Sequence, residues 1–183
     1  DLIVGTEEEI LIAGCESYET ETLESCLAAI RKQSSATVVL KRGAEGCEVF
    51  SPESSTPISA RSFPIEVLNI LGAGDAFMSG FLRGWLRNEN LETCALYGNA
   101  CGALVVTRHG CSPASPSFAE IEYFISNFDN FPNLAQHPHQ TFWSKMNQLH
   151  LRTELRQPQN AERPVREELL ILAYDHSTQF EDS

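Results

Sequence analysis

The sequence predicts an α/β fold, and three observations carry that expectation. Short β-prone apolar runs, Leu2–Val4 and Ala36–Leu40, alternate with stretches whose apolar residues recur at helical spacing. Ile65–Leu86, IEVLNILGAGDAFMSGFLRGWL, reads as a strand ending, a glycine-bracketed turn and then a helix. Leu91–Thr107, LETCALYGNACGALVVT, is nearly apolar throughout, as expected of a buried helix. With 42% of its 183 residues hydrophobic, the chain can bury a sizeable core, as one domain or one domain plus a fragment.

The elements follow in order. Leu2–Val4 has no turn or cap before it, so the chain is expected to open on a strand already inside a fold. Thr6-Glu7-Glu8-Glu9 then suits a helix start, where the partial positive charge of the first turn favours acids. Thr20–Gln33 places Leu23, Leu27 and Ile30 on one helical face, with glutamates early and Arg31-Lys32 late. After the strand Ala36–Leu40, the glycines of KRGAEG, Gly43 and Gly46, permit positive φ. They suit either an ordinary hairpin turn or close approach of a ligand to the backbone. Cys47–Phe50 and Thr56–Ala60 read as short strands joined by the turn SPESS.

In the central stretch, Ile65, Val67, Ile70 and Leu71 form the apolar lead-in and Gly72-Ala73-Gly74 the turn. Phe77, Phe81, Leu82, Trp85 and Leu86 give the helical period. Asn99 is the odd polar residue of the next helix and reads as a core amide with satisfied partners. TRHGCSPASP ends that helix with Gly110 and two prolines, leaving His109 as a capping or surface histidine. Phe118–Phe128 is an amphipathic helix begun by the Ser115-Pro116 turn. From 130 to 165 the composition is that of a linker, with a short helix at Phe142–Leu151, and Leu169–Tyr174 reads as a buried strand. His137 and His139 have no acidic or cysteine partner at ligand spacing, so no metal is expected there.

Charge and cysteine usage exclude several classes. A net charge of −12 disfavours nucleic acid and anionic membranes as partners. It leaves a nucleotide open, since local N–H groups and magnesium can bind one. No apolar run is long enough to span a bilayer and no basic leader opens the chain, so a cytoplasmic protein is expected. Cys15, Cys26, Cys47, Cys94, Cys101 and Cys111 contain no CxxC pair and fit reduced thiols better than a disulfide framework.

The chemistry concentrates at the glycine-bracketed turn. A helix N-terminus leaves its first N–H groups unpaired, so a turn of small residues there can receive an anion. Asp75 lies beside that position, either as a helix-capping acid or as a base for an attacking hydroxyl. GAGDAF followed by an apolar helix resembles the second signature of the ribokinase-like (PfkB) carbohydrate kinases. The resemblance implies a three-layer α/β/α sandwich, incomplete here because the N-terminal half and its lid are absent. Residues 1–129 resemble the C-terminal part of such a kinase domain. GTEEE and TRHGCSPASP are similar to the subgroup that phosphorylates 5-dehydro-2-deoxygluconate in inositol catabolism. The tail ELLILAYDHSTQFE, in 166–183, is similar to the opening strand of an aldolase-like barrel domain, fused behind the kinase in one bacterial set of that subgroup. Asp175-His176 receive no role.

Site roles come from the same resemblance. Asp75 is implied as general base on a sugar-acid primary hydroxyl, with Gly72, Ala73 and Gly74 offering N–H groups to the transferring phosphoryl. Gly43, Gly46, Gly74 and Asn99 are implied in binding ATP, and Glu9 in holding Mg2+ through water. Thr6 stands where the family carries Asn, and Asn69 where it carries an Asp that helps bind a potassium-like ion. K+ is therefore expected only through Asn69, the Leu71 carbonyl and carbonyls of Val106–Cys111. The implied partners are ATP and a small sugar acid, and the resemblance leaves room for a homodimer. A non-catalytic kinase-like module and another ribokinase-family sugar kinase remain the alternatives.

Overall fold

The computed structural model describes residues 1–18, 22–110, 114–130 and 140–154. Strand β1 (Leu2–Thr6) runs directly into α1 (Glu7–Tyr18), followed by α2 (Leu23–Gln33) and β2 (Thr37–Lys41). After β3 (Cys47–Phe50) and β4 (Ile58–Ser59) come α3 (Ala73–Leu86), α4 (Leu91–Val105), α5 (Phe118–Asn127) and α6 (Gln140–Glu154). The four strands form one mixed sheet in the order β1-β2-β3-β4. β1 and β2 are parallel, with Thr6 opposite Lys41. β3 pairs antiparallel with both β2 and β4.

Strand alternation builds the layers. Successive side chains of β2 point to opposite faces of the sheet. Val38 and Leu40 join Ile10, Cys26, Leu27 and Ile30 beneath α1 and α2. Val39 joins Val49, Phe77, Phe81, Cys94 and Ala95 beneath α3 and α4. The result is an α/β/α sandwich with β2 buried on both sides. A further cluster packs Leu104, Ile121, Phe124 and Met146 where α4, α5 and α6 meet. Within the stretch of linker composition, the predicted helix at Phe142–Leu151 is therefore longer, and its Met146 is fully buried.

Helix ends follow local chemistry. Thr22 caps α2 and Ser117 caps α5, each in a reciprocal box with the residue three positions on. Asn90 caps α4 by accepting the Thr93 N–H at 2.8 Å. The amphipathic helix starts at Phe118 as expected, with Ser117, just after the Ser115-Pro116 turn, as its N-cap. β4 is only two residues because Pro57, just before it, has no N–H to give the ladder.

The strand expected to end at Leu71 does not form. The N–H groups of Leu68 and Asn69 both donate to the Val106 carbonyl, at 2.8 and 3.1 Å, so the end of α4 replaces a neighbouring strand. Asn69 Oδ1 then accepts the Leu71 N–H at 3.1 Å, a local turn that breaks extension. Ile70 and Leu71 are left 77% and 64% exposed.

Cys26, Cys47, Cys94 and Cys101 are buried. Burial pushes the Cys47 and Cys101 thiols up to about 12 and Cys94 up to about 11, so they stay protonated and inert at neutral pH. Cys111, His137, His139 and Asp175-His176 lie outside the described residues, as does the side chain of Cys15. Among the described residues no helix is long and apolar enough to cross a membrane.

α3 and α4 touch through glycines. A Cβ on Gly80 would lie 2.5 Å from the Tyr97 carbonyl oxygen, and one on Gly98 would lie 2.7 Å from the Phe77 ring. Gly80→Ala is therefore expected to cost about 1–3 kcal/mol of stability through overpacking. A Cβ on Gly102 would meet Ala73 O at 3.6 Å, an ordinary contact. Gly102→Ala is expected to be neutral or slightly stabilising, because alanine is the better helix former by about 1 kcal/mol. Urea denaturation of both variants checks the contrast.

Glu120 is the fully buried acid of the α4–α5–α6 junction. Burial pushes its carboxyl up, but the Ser117 N–H and the Arg108 guanidinium outweigh this and hold it below the usual range. Arg108 Nη2 donates to Glu120 Oε1 at 2.5 Å, and His150 Nδ1 of α6 lies 3.2 Å from Oε2. Removing the guanidinium leaves a buried charge uncompensated, so Arg108→Ala is expected to cost about 3–5 kcal/mol at neutral pH. A depressed carboxyl stabilises above its unfolded value, near pH ~4.3, and that contribution fades as pH falls through the folded value. The gap between wild type and Arg108→Ala should therefore close towards acid pH, as melting curves across pH will record.

Candidate active site

Parallel α/β sheets bind ligands at the carboxyl ends of their strands. Here those ends deliver Thr6 from β1 and Lys41 from β2, directly opposite each other. Thr6 begins α1 with a capping box. Its N–H donates to Glu9 Oε2 at 2.6 Å, and the Glu9 N–H donates to Thr6 Oγ1 at 3.2 Å. Thr6, at the position expected for Asn, thus fixes the Glu9 carboxylate. Lys41 Nζ lies 3.7 Å from the same Oε2. Arg42 completes the edge, its Nε donating to Glu7 Oε1 at 2.8 Å while its fork also faces Glu45 and Glu48. The hydrogen bond to Glu7, with the Glu48 charge, raises the Arg42 guanidinium above its usual range.

The turn before α3 supplies the anion-receptive end. Gly72 is its N-cap at φ 83°, a left-handed conformation that L side chains rarely adopt, and no side chain caps the helix. The Ala73 N–H donates to the Ile70 carbonyl at 3.2 Å and the Ala76 N–H to the Gly72 carbonyl at 2.9 Å. Ala73 was expected to offer its N–H to a ligand, but the turn consumes it. Among the described residues the N–H groups of Gly72, Gly74 and Asp75 take no acceptor. Asp75 is exposed in the first turn, and its carboxylate makes no hydrogen bond or ion pair among the described residues. A capping role does not account for it.

Lys41 ties the two edges together, since its Nζ lies 3.6 Å from where a Cβ on Gly74 would stand. Glu9, Lys41 and the mouth of α3 are thus neighbours in space. The sequence reading passed over Lys41. Its signal was available: an apolar strand that ends abruptly in two adjacent cations before a glycine.

Gly43 and Gly46 stand at φ 58° and 90°, bracketing a short 3-10 turn, with the Arg42 N–H donating to Gly46 O at 2.8 Å. A Cβ on Gly46 would lie 2.8 Å from Asn99 Nδ2, so the turn rests on α4. Asn99 is 7% exposed and donates through Nδ2 to the carbonyls of Arg61 at 3.0 Å and Ala60 at 3.4 Å. Its Oδ1 has no partner among the described residues, so there the core amide is only half satisfied. That buried acceptor is suited to one N–H donor of a ligand.

No group of three His, Cys, Asp or Glu side chains gathers among the described residues. Mg2+ commonly keeps several waters and uses one or two carboxylates plus substrate phosphates, so Glu9 alone beside an anion site fits it. The atoms named for potassium carry local hydrogen bonds. Asn69 Oδ1 is taken by the Leu71 N–H, Val106 O by two N–H groups, and the Asn69 amide itself donates to the Gly110 carbonyl at 3.4 Å.

Comparison with known proteins agrees with this architecture. The fold is ribokinase-like: the chain superposes on Thermotoga maritima ribokinase with a TM-score of 0.64 at 23% identity, over 69% of this chain and 42% of that one. A putative ribokinase II from E. coli, in complex with ATP and Mg2+, superposes at a TM-score of 0.62 with 29% identity, over 69% of this chain and 39% of that one. Residues 1–117 match the family described as pfkB family carbohydrate kinase, and the chain belongs to that family. It is 33% identical over 126 residues to a 5-dehydro-2-deoxygluconokinase of Bacillus licheniformis, covering 69% of this chain. The chain spans 38% of that relative's length.

The Gly72 turn is the element most sensitive to a side chain. A left-handed backbone costs a β-carbon-bearing residue about 1–2 kcal/mol. Gly72→Ala is expected to lose that much stability in denaturant titrations. Gly43→Ala, at a position where a Cβ meets nothing within 4 Å, isolates the backbone strain from any packing clash.

Proposed function

We propose that the full-length protein transfers the γ-phosphoryl group of ATP to the primary hydroxyl of a sugar acid, 5-dehydro-2-deoxygluconate foremost, in the cytoplasm. The carrying observation is the unpartnered Asp75 carboxylate in the first turn of α3, beside free N–H groups of Gly72, Gly74 and Asp75. Family membership and the 5-dehydro-2-deoxygluconokinase relatives support the reaction and the choice of sugar acid.

In this reading Asp75 accepts the hydroxyl proton as the sugar oxygen forms its bond to the γ-phosphorus. The bond from phosphorus to the bridging oxygen breaks, and its electron pair leaves with ADP. The free N–H groups hold the equatorial oxygens of the group in flight, where charge stabilisation and positioning do most of the catalysis. Glu9 would hold Mg2+ through water, and that ion would supply charge neutralisation to the nucleotide's phosphates. The Gly43–Gly46 turn flanks the nucleotide, with Asn99 Oδ1 accepting an N–H from its base.

Asp75→Asn keeps the shape of the side chain and removes the base. Turnover of the full-length protein on 5-dehydro-2-deoxygluconate is expected to fall about 10²–10⁴-fold. ATP affinity, read by calorimetry, should stay within about twofold, because the N–H groups remain. Wild-type activity on another sugar in a substrate panel would reassign the substrate. ATP binding without turnover on any sugar would overturn the kinase reading in favour of a non-catalytic module.

A further inference from the structure

Lys41 has no role in the reading above, yet it stands between the Glu9 carboxylate and the mouth of α3. It is the last residue of β2, and its side chain is 21% exposed. The side chain reaches the mouth of α3, with Nζ 3.6 Å from the point a Gly74 Cβ would occupy. That helix end already carries partial positive charge and three N–H groups without an acceptor among the described residues, so it repels an ammonium. The counter-charge is Glu9 Oε2 at 3.7 Å, an oxygen that also accepts the Thr6 N–H. Arg42, the neighbouring cation, is instead absorbed by Glu7, Glu45 and Glu48. A cation held against a positive helix end is favourable once an anion lies between the two.

The geometry points to Lys41 as a catalytic residue that contacts the γ-phosphoryl oxygens of ATP, paired with Glu9 until the nucleotide arrives. This role rests on the kinase reading of the site. Lys41 keeps its protons throughout: the hydroxyl proton goes to Asp75 and the leaving electron pair to ADP. The ammonium lowers the cost of charge on the phosphoryl group as it moves between the two oxygens. Lysine suits this task because it is a point charge on a flexible stem and can follow the group in flight.

The test compares ATP with ADP, which differ by the group Lys41 would touch. In the full-length protein, Lys41→Met is expected to weaken ATP binding about 10–100-fold, the value of a charge-assisted hydrogen bond. ADP affinity should hold within about twofold on the same ground. kcat should fall as well, with partial recovery in Lys41→Arg. Equal losses for ATP and ADP, or no loss for either, would assign Lys41 a structural role as the partner of Glu9.

Reductive methylation of the wild-type protein gives a second reading that needs no variant. Lys41 should be protected by ATP with Mg2+ and remain reactive with ADP and Mg2+, as read by mass spectrometry. Equal labelling in the two states would overturn the assignment. A wild type that turns over normally beside an unaffected Lys41→Met sinks this inference alone. A wild type that binds ATP and ADP equally and phosphorylates no sugar sinks the kinase reading and this inference with it.

Discussion

The close approach of α3 to α4 is the constraint on which the site depends. Gly80 and Gly84 on α3 and Gly98 on α4 leave no room for side chains, so each helix packs against the other's backbone or first atoms. That contact sets where α3 begins. Phe77 and Phe81 fill the space beneath it and press the pair onto Val39 and Val49 of the sheet. With both helices fixed, the Gly72 turn must reverse the chain within one residue, which only a left-handed backbone achieves. The free N–H groups beside Asp75 are a consequence of that reversal, because no side chain is available to cap them.

The opposite edge is fixed by charge rather than packing. The capping box of Thr6 and Glu9 uses local hydrogen bonds to hold a carboxylate at the carboxyl end of β1. Arg42 ties the start of α1 to the Gly43–Gly46 turn through Glu7 and Glu48. These pairs are partly exposed, so their contribution to stability is small. What they supply is geometry: the glycine turn cannot drift from α1 without separating charges.

Much of this was legible in the sequence because the signals were local. The buried β2 run, the periodic α2 and the cap-bounded α4 lie within a few residues of their predicted limits. The Gly72 turn was legible for the same reason, since a run of small residues with glycines before an apolar helix marks a tight turn. Most of the misreadings involve partners distant in sequence. Ile65–Leu71 has strand composition, but its backbone bonds go to Val106, which no local pattern reveals. The Ala73 N–H is lost to Ile70 through the turn's own geometry, which the glycine pattern alone does not determine. Lys41 went unread because its neighbourhood includes Gly74, thirty-three residues later. Asn99 was half read: a core amide was foreseen, but its orphaned Oδ1 was not.

The exposed apolar residues sharpen the contrast between the two sides of α3. Val67, Leu68, Ile70 and Leu71 are each more than half exposed, and they immediately precede the turn that carries the site. Elsewhere in the described residues, apolar side chains of this size are covered, and even the acid Glu120 is buried with its charge answered by Arg108. A chain that hides its apolar groups so consistently does not leave four together by lack of patterning, because the same stretch is held in place by two hydrogen bonds to Val106. The exposure therefore belongs to a fixed, locally ordered surface adjoining the Gly72 turn. Asp75 and its free N–H groups thus open at the edge of an apolar face, a setting in which exclusion of water would strengthen every electrostatic contact the site can make.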